Sequence, residues 1–366
     1  MSPVNKKAAL IFFFFGVLLH ACASPPKQDL TPLKWPEPPL KTRIAFLQTL
    51  TSDADLGRTA SWKERILELL TGQEPHQQRL FQPMDVAVSD DGTHLYISDY
   101  GQFQVFVFDL KHKKVTYRGP FNRPFGLALD GEENLYVVEQ GTGTIQILDA
   151  AGNRSKTIRH PALIRPTDIV IDRRRRRLYV ADPASKGHAA HTVKIFDLAG
   201  GYLGGIGNEK GEAPGQLYFP TYLALDRFGN LYVSNTMNAR VDVFSPEGVY
   251  LKTIGERGNA FGMFDKPKGI ALDGFGHLYV VDSNWSNVQI FNQKGEVLLY
   301  FGGRGNYPGL LKNPTGIAID RNNQIYVADL LNTRITVYQL VNSDDIRHPN
   351  THPSAEAEAS ATGKME

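Results

Sequence analysis

Cysteine is almost absent from this chain: Cys22 is the single one among 366 residues, so neither an internal disulfide nor a cysteine-built metal module such as a RING can form. A charge bias is absent as well, with 40 Lys and Arg against 38 Asp and Glu. Without a large field of one sign, nucleic acid is not an expected partner. Also missing is any apolar run near the length of about twenty residues that a spanning helix needs. The longest, from Ala8 to Leu19, has 12. A Gly-x-Ser-x-Gly elbow, a phosphate-binding loop and a Cys-x-x-Cys-His haem site are not found either. No nucleophile or cofactor declares itself, and the chain reads as a binding protein sooner than an enzyme.

What is present is repetition. The heptapeptide PTGIAID that opens at Pro314 recurs in variant form at Pro83, Pro124, Pro166, Pro220 and Pro267, the successive spacings being 41, 42, 54, 47 and 47 residues. Such a period marks a supersecondary unit that packs against its neighbours. Each copy holds short runs of alternating apolar residues, exemplified by LALD at 127–130, LYVV at 135–138 and TIQIL at 144–148, and a fourth run follows in most copies. Runs of period two and this length read as strands. A four-stranded antiparallel blade cannot bury both faces alone, whereas a ring of blades lets each cover the next. The expected fold is therefore all-β, a six-bladed β-propeller over residues 43–341. Its last blade lacks an outer strand after Val341, and the alternating run at 43–50 supplies it, joining the two ends of the domain.

The punctuation of these units, seen in Ile254, Gly255, Gly258, Gly262, Phe264, Pro267, Gly269, Asp273 and LYVVD at 278–282, resembles the NHL repeat. The resemblance spans roughly residues 81–341 and implies a six-bladed propeller. It implies no single reaction, because NHL propellers include ligand scaffolds, RNA binders and a metal-dependent lyase family.

Ahead of the repeats stand Lys6, Lys7, the apolar run and the tetrapeptide LHAC ending at Cys22, the order of an export signal. It resembles a bacterial lipoprotein signal, which implies removal of residues 1–21, acylation of Cys22 and, with Ala23 next, an outer-membrane location. Residues 22–42 contain Pro25, Pro26, Pro32, Pro36, Pro38 and Pro39 and are expected to form an extended tether. Residues 342–366 lack periodicity and read as a disordered tail. Inside the first long connection, Ser61 and Glu64 form a capping-box pattern ahead of Trp62, Ile66, Leu69 and Leu70, so a short helix is expected over about 61–71.

Comparing the copies separates the two faces of the ring. The turn between the first two strands of each unit is nearly constant in length, whereas the connections on the opposite face vary, and variable loops on a rigid scaffold are where binding concentrates. That variable face is called the top. Near the axis there, Asp85, Asp168 and Tyr222 occupy the slot that Gly126, Gly269 and Gly316 hold in the other units. Glu139 replaces the Asp or Asn, such as Asn235, that ends the second strand elsewhere. Asp85, Asp168, Tyr222, Glu139 and Asn235 are thus the candidate ligand-binding residues of a central funnel, where carboxylates and a carboxamide could hold an amine or a cation such as Ca²⁺. His160, His188 and His191 are candidate metal ligands whose spacing matches no helical zinc pair, so no metal is assigned. On the constant face Arg173, Arg174, Arg175, Arg176 and Arg177 crowd one turn, a solvated run or a contact for lipid phosphate or lipopolysaccharide. The resulting expectation is a monomeric, membrane-tethered envelope scaffold that binds a protein, peptide or small ligand on its top face, the alternative being a divalent-cation-dependent lyase or hydrolase.

Overall fold

The computed structural model describes residues 33–57, 70, 78–184, 191–207 and 209–341. Six antiparallel sheets stand around an axis, their inner strands being Pro83–Val88, Pro124–Leu129, Asp168–Asp172, Pro220–Leu225, Pro267–Leu272 and Pro314–Ile319. They are numbered blades 1 to 6 in that order. Blades 1 to 5 are each four consecutive strands running outward from the axis.

The sixth blade closes the ring. Its third strand, Arg334–Leu340, pairs with Ile44–Leu50 in an antiparallel register that sets Ile44 against Leu340 and Leu50 against Ile335. A fifth strand, Lys34–Trp35, then pairs with Ile44–Leu50. This corrects the tether expected over 22–42, because residues 34 and 35 belong to the ring. The reason is Trp35, whose indole packs on Tyr338 and Phe301 with centroids 5.7 and 6.1 Å away, while prolines follow it at a sheet edge that tolerates them.

Alternation along every strand sends apolar side chains into the seams between blades, and six hydrophobic clusters fill six seams. The closing strand serves two of them. Ile44 is buried between blades 5 and 6, Leu50 between blades 6 and 1, and a register shift between Phe46 and Gln48 lets one strand reach both. Three short 3-10 turns are the named helical elements among the described residues, and no helix there is long and apolar enough to cross a membrane. The helix expected over 61–71 lies outside the described residues apart from Leu70. So do the signal, Cys22, His188 and the tail at 342–366.

Candidate functional site

Five of the six inner strands start with a register shift immediately after their proline; the third blade has none. The asymmetry noted in the sequence becomes physical there. Asp85 in blade 1 reaches blade 2, its Oδ2 accepting the Leu127 N–H at 2.9 Å. Asp168 in blade 3 does the same to blade 4, accepting the Leu223 N–H at 2.7 Å. The glycines that precede the two acids around the ring leave room for nothing larger: a Cβ on Gly126 would lie 2.5 Å from Asp168 Cα, and one on Gly316 would lie 2.7 Å from Asp85 Cα. Tyr222 in blade 4 crosses the axis, and its hydroxyl donates to the Met84 carbonyl of the opposite blade at 2.8 Å.

These three groups plug the channel. Burial pushes the Asp85 carboxyl up to about 7 against the pull of two backbone N–H groups. Burial and the neighbouring charge of Asp85 raise Asp168 well above the carboxylate range, and the Tyr222 hydroxyl is raised by burial and by both acids. At neutral pH the pair therefore keeps a proton, since two close carboxylates in a dry site resist joint ionisation. Around them Thr167 bonds the Thr221 carbonyl at 3.0 Å, Thr315 bonds the Pro83 carbonyl at 3.2 Å, and Ser98 and Ser234 bond Phe125 and Lys268 in the next blades. The axis is a hydrogen-bonded keystone.

Glu139 and Asn235 do not join that cluster. Glu139 accepts the Asn122 N–H at 2.8 Å and bonds from Thr142, Thr144 and Gln146 at 3.0, 3.0 and 2.9 Å. Burial opposes its ionisation, but these donors outweigh burial and hold the carboxyl below its ordinary value. Asn235 accepts the Tyr218 N–H and donates to the Gln216 carbonyl and the Asp242 carboxylate. Asp99, Asp182, Asp282 and Asp329 act alike, each accepting N–H groups from the loop that leads into its own blade. The end of the second strand thus fastens the top loop, and a side chain there turns outward from the funnel.

The histidines are also separate. His160 stacks on Tyr202 with centroids 5.0 Å apart, and His191 sits edge-on to Tyr218 while its Nδ1 accepts the Phe219 N–H. Burial and nearby Lys210 lower the pKa of His191. Among the described residues no group of three or more His, Cys, Asp or Glu is placed to hold a metal ion. On the bottom face the arginine turn is tied to its surroundings. Arg173 makes a 2.7 Å ion pair with Asp90 of blade 1 and bonds the Leu129 and Asp130 carbonyls, while Arg174, Arg175 and Arg177 bond carbonyls of blade 4.

Above the keystone the top face opens into a cavity of about 450 Å³. Phe81, Met84, Tyr100, Phe125 and Leu331 form much of its wall, and Arg165 projects into it from the loop before blade 3. The Arg165 guanidinium lies 5.2 Å from the Phe219 ring centroid, and its Nε is shielded from solvent with no hydrogen-bond partner among the described residues. Sequence reasoning passed over this residue. Its signal was there, since LIRP at 163–166 is where the third copy departs from the others.

The chain is a six-bladed β-propeller. Residues 75–182 match the family model described as the SMP-30/Gluconolactonase/LRE-like region, and residues 263–354 match one described as DUF5128, a 6-bladed beta-propeller. No curated protein sequence matches the chain significantly. Among solved structures it is similar to a gluconolactonase from Xanthomonas campestris, at 17% identity and a TM-score of 0.58 over 81% of this chain and 98% of that one. It is also similar to a catalytically inactive virginiamycin B lyase from Staphylococcus aureus bound to quinupristin, at 14% identity and a TM-score of 0.53 over 71% and 95% of the two chains. A third is the Kuenenia stuttgartiensis hydrazine synthase, at 18% identity and a TM-score of 0.54 over 76% and 82%. At these identities the likeness is one of fold.

Proposed function

We propose that this propeller is a binding module of the bacterial envelope, held at the outer membrane by an acylated Cys22, that receives on its top face a ligand or peptide with an apolar body and an anionic group. The observation that carries this reading is the cavity over the keystone, where aromatic and aliphatic walls surround an arginine whose Nε has no hydrogen-bond partner among the described residues. Arg165 lines the cavity and is only partly buried, and a carboxylate arriving there would pair with the accessible N–H groups of its guanidinium. Asp85, Asp168 and Tyr222 support the floor of this site, while Glu139 and Asn235 hold its rim loops. An NHL-type reading of blades 4 to 6 draws support from three equivalent parallel bridges in their leading loops, Lys210 to Leu217, Arg257 to Phe264 and Arg304 to Leu311. The five arginines of residues 173–177 lie on the opposite face, where an anionic lipid surface is the partner they suit.

The test is a thermal-shift screen of small aromatic carboxylates and peptides with free C-termini against the full chain, repeated with Arg165→Gln and Phe125→Ala. Stabilisation that disappears in both variants supports the site; hits that persist in both place binding elsewhere.

The alternative of a divalent-cation-dependent lyase or hydrolase draws on the match of residues 75–182 to the SMP-30/Gluconolactonase/LRE-like model. The lining chemistry weighs against a cation at the mouth of this cavity, because its polar groups among the described residues are amides, hydroxyls and Arg165, with no carboxylate. Stoichiometric metal in purified protein, lost on Asp168→Ala, would favour that alternative instead.

A further inference from the structure

Blades 4, 5 and 6 are built on one 47-residue period, so the same position can be compared three times within this chain. In blades 4 and 6 an arginine opens the third strand and fills the space under the leading loop. Arg240 donates to the Glu212 and Ala213 carbonyls, and Arg334 donates to those of Asn306, Tyr307 and Leu310. Blade 5 has Asn287 there. Its short side chain leaves a cavity of about 370 Å³, and Asn287 Oδ1 lies shielded from solvent with no hydrogen-bond partner among the described residues.

Three further exchanges converge on the same space. Where blades 4 and 6 have Asn238 and Asn332, whose amides donate to the Gly211 and Gly305 carbonyls, blade 5 has Trp285. The indole Nε1 keeps the equivalent bond, to Gly258 at 3.3 Å, so the ring is held in place while it stands 41% exposed. Phe261 occupies the position of Pro214 and Pro308, and Tyr300 that of Thr253. These two rings meet edge to face with centroids 5.6 Å apart and remain 53% and 52% exposed. The loop beneath is fixed, since Gln289 accepts the Gly262 N–H at 2.9 Å and donates to the Met263 carbonyl at 2.7 Å.

We propose that this pocket on the rim of blade 5 is a second binding site, for a neutral saccharide. Every residue lining it is uncharged, which suits a ligand without charge. Three ordered aromatic faces offer flat apolar surface to the C–H side of a sugar ring, and the Asn259 and Asn287 side-chain amides that line the pocket are hydrogen-bonding groups for its hydroxyls. The site draws on different residues from the top cavity, whose lining comes from blades 1, 2, 3 and 6.

The test uses intrinsic tryptophan fluorescence of the full chain, titrated with the hexamer of N-acetylglucosamine and with maltohexaose, and with a proline-rich peptide as the competing class. Asn287→Arg reinstalls the side chain that fills blades 4 and 6, so it is expected to close the pocket without lowering the unfolding midpoint. Saturable binding of at least one hexamer, weakened tenfold or more by Asn287→Arg and by Trp285→Ala, is the expected result. No binding of either hexamer, binding of a hexamer that survives Asn287→Arg, or saturation by the peptide alone would overturn the assignment. If Asn287→Arg proves unstable, Tyr300→Thr, the residue of blade 4, supplies the same comparison.

Discussion

The axial acid pair makes the stability of the ring depend on pH in an unusual direction. Asp85 is 5% exposed, has a carboxyl raised from 3.8 to about 7 by burial, and spends one oxygen on the Leu127 N–H. A raised carboxyl keeps its proton in the folded chain after the unfolded chain has released it. Stability from this group is therefore complete below pH 3.8, falls as pH rises toward 7, and is flat beyond. Taken over that whole window the linkage is on the order of 4 kcal/mol, with Asp168 acting in the same sense. Asp85→Asn removes the titration while its Oδ1 still accepts from Leu127, so the variant should be the more stable protein at pH 8 by roughly 1 to 3 kcal/mol and near parity at pH 4. For a domain of this size that is a rise of several degrees in melting temperature at pH 8. Urea or thermal unfolding of parent and variant between pH 4 and 8 measures the difference directly; groups away from the axis cancel in it, while Asp168, freed of its neighbour's charge, titrates lower in the variant. Parallel profiles would refute the picture of a shared proton on the axis.

Three further outcomes are expected. Truncation of residues 1–50 should lower stability by on the order of 5 kcal/mol relative to truncation of 1–31, because Ile44 and Leu50 are fully buried and the third strand of blade 6 loses its ladder; truncation of 1–40 should fall between them through loss of Trp35, and equal melting temperatures for all three would sink this closure. Cys22→Ala should abolish fatty-acid labelling and release the protein from the membrane fraction, and persistent labelling would exclude the lipoprotein anchor. Serine at all five positions from Arg173 to Arg177 should weaken sedimentation with anionic vesicles in a salt-dependent way, at a stability cost of about 1 kcal/mol for the exposed ion pair; unchanged sedimentation removes the lipid-surface role.

The ring was legible in the sequence because its period, its turns and its missing strand are all encoded locally. Residues 43–50 could be assigned to blade 6 from their alternation and from the outer strand that blade otherwise lacks, and residues 44–50 pair there. Trp35 could not be placed by the same means, since two strand residues among prolines carry no periodicity, and its place against Phe301 and Tyr338 at the seam of blades 5 and 6 is a tertiary contact. The axis was half legible. That Asp85, Asp168 and Tyr222 break a glycine pattern is visible in sequence. That Tyr222 reaches the opposite blade and seals the channel is a matter of distance across the ring, which no local pattern records.

Glu139 shows most clearly why a residue that breaks a pattern is not thereby a ligand. At the end of the second strand the repeat requires an acceptor for the N–H groups of the leading loop, and a longer carboxylate meets that need when its neighbours supply more donors. Thr142, Thr144 and Gln146 do so, which makes Glu139 a variation within the structural rule. Asn287 is the opposite case. Its exchange for arginine brings no compensating donor among the described residues to its side-chain oxygen, leaves space where blades 4 and 6 are filled, and coincides with three added aromatic rings around that space. In a repeat protein each blade is a control for the others, so the deviation that points to function is the one that empties a space its counterparts fill and lines it with aromatic rings.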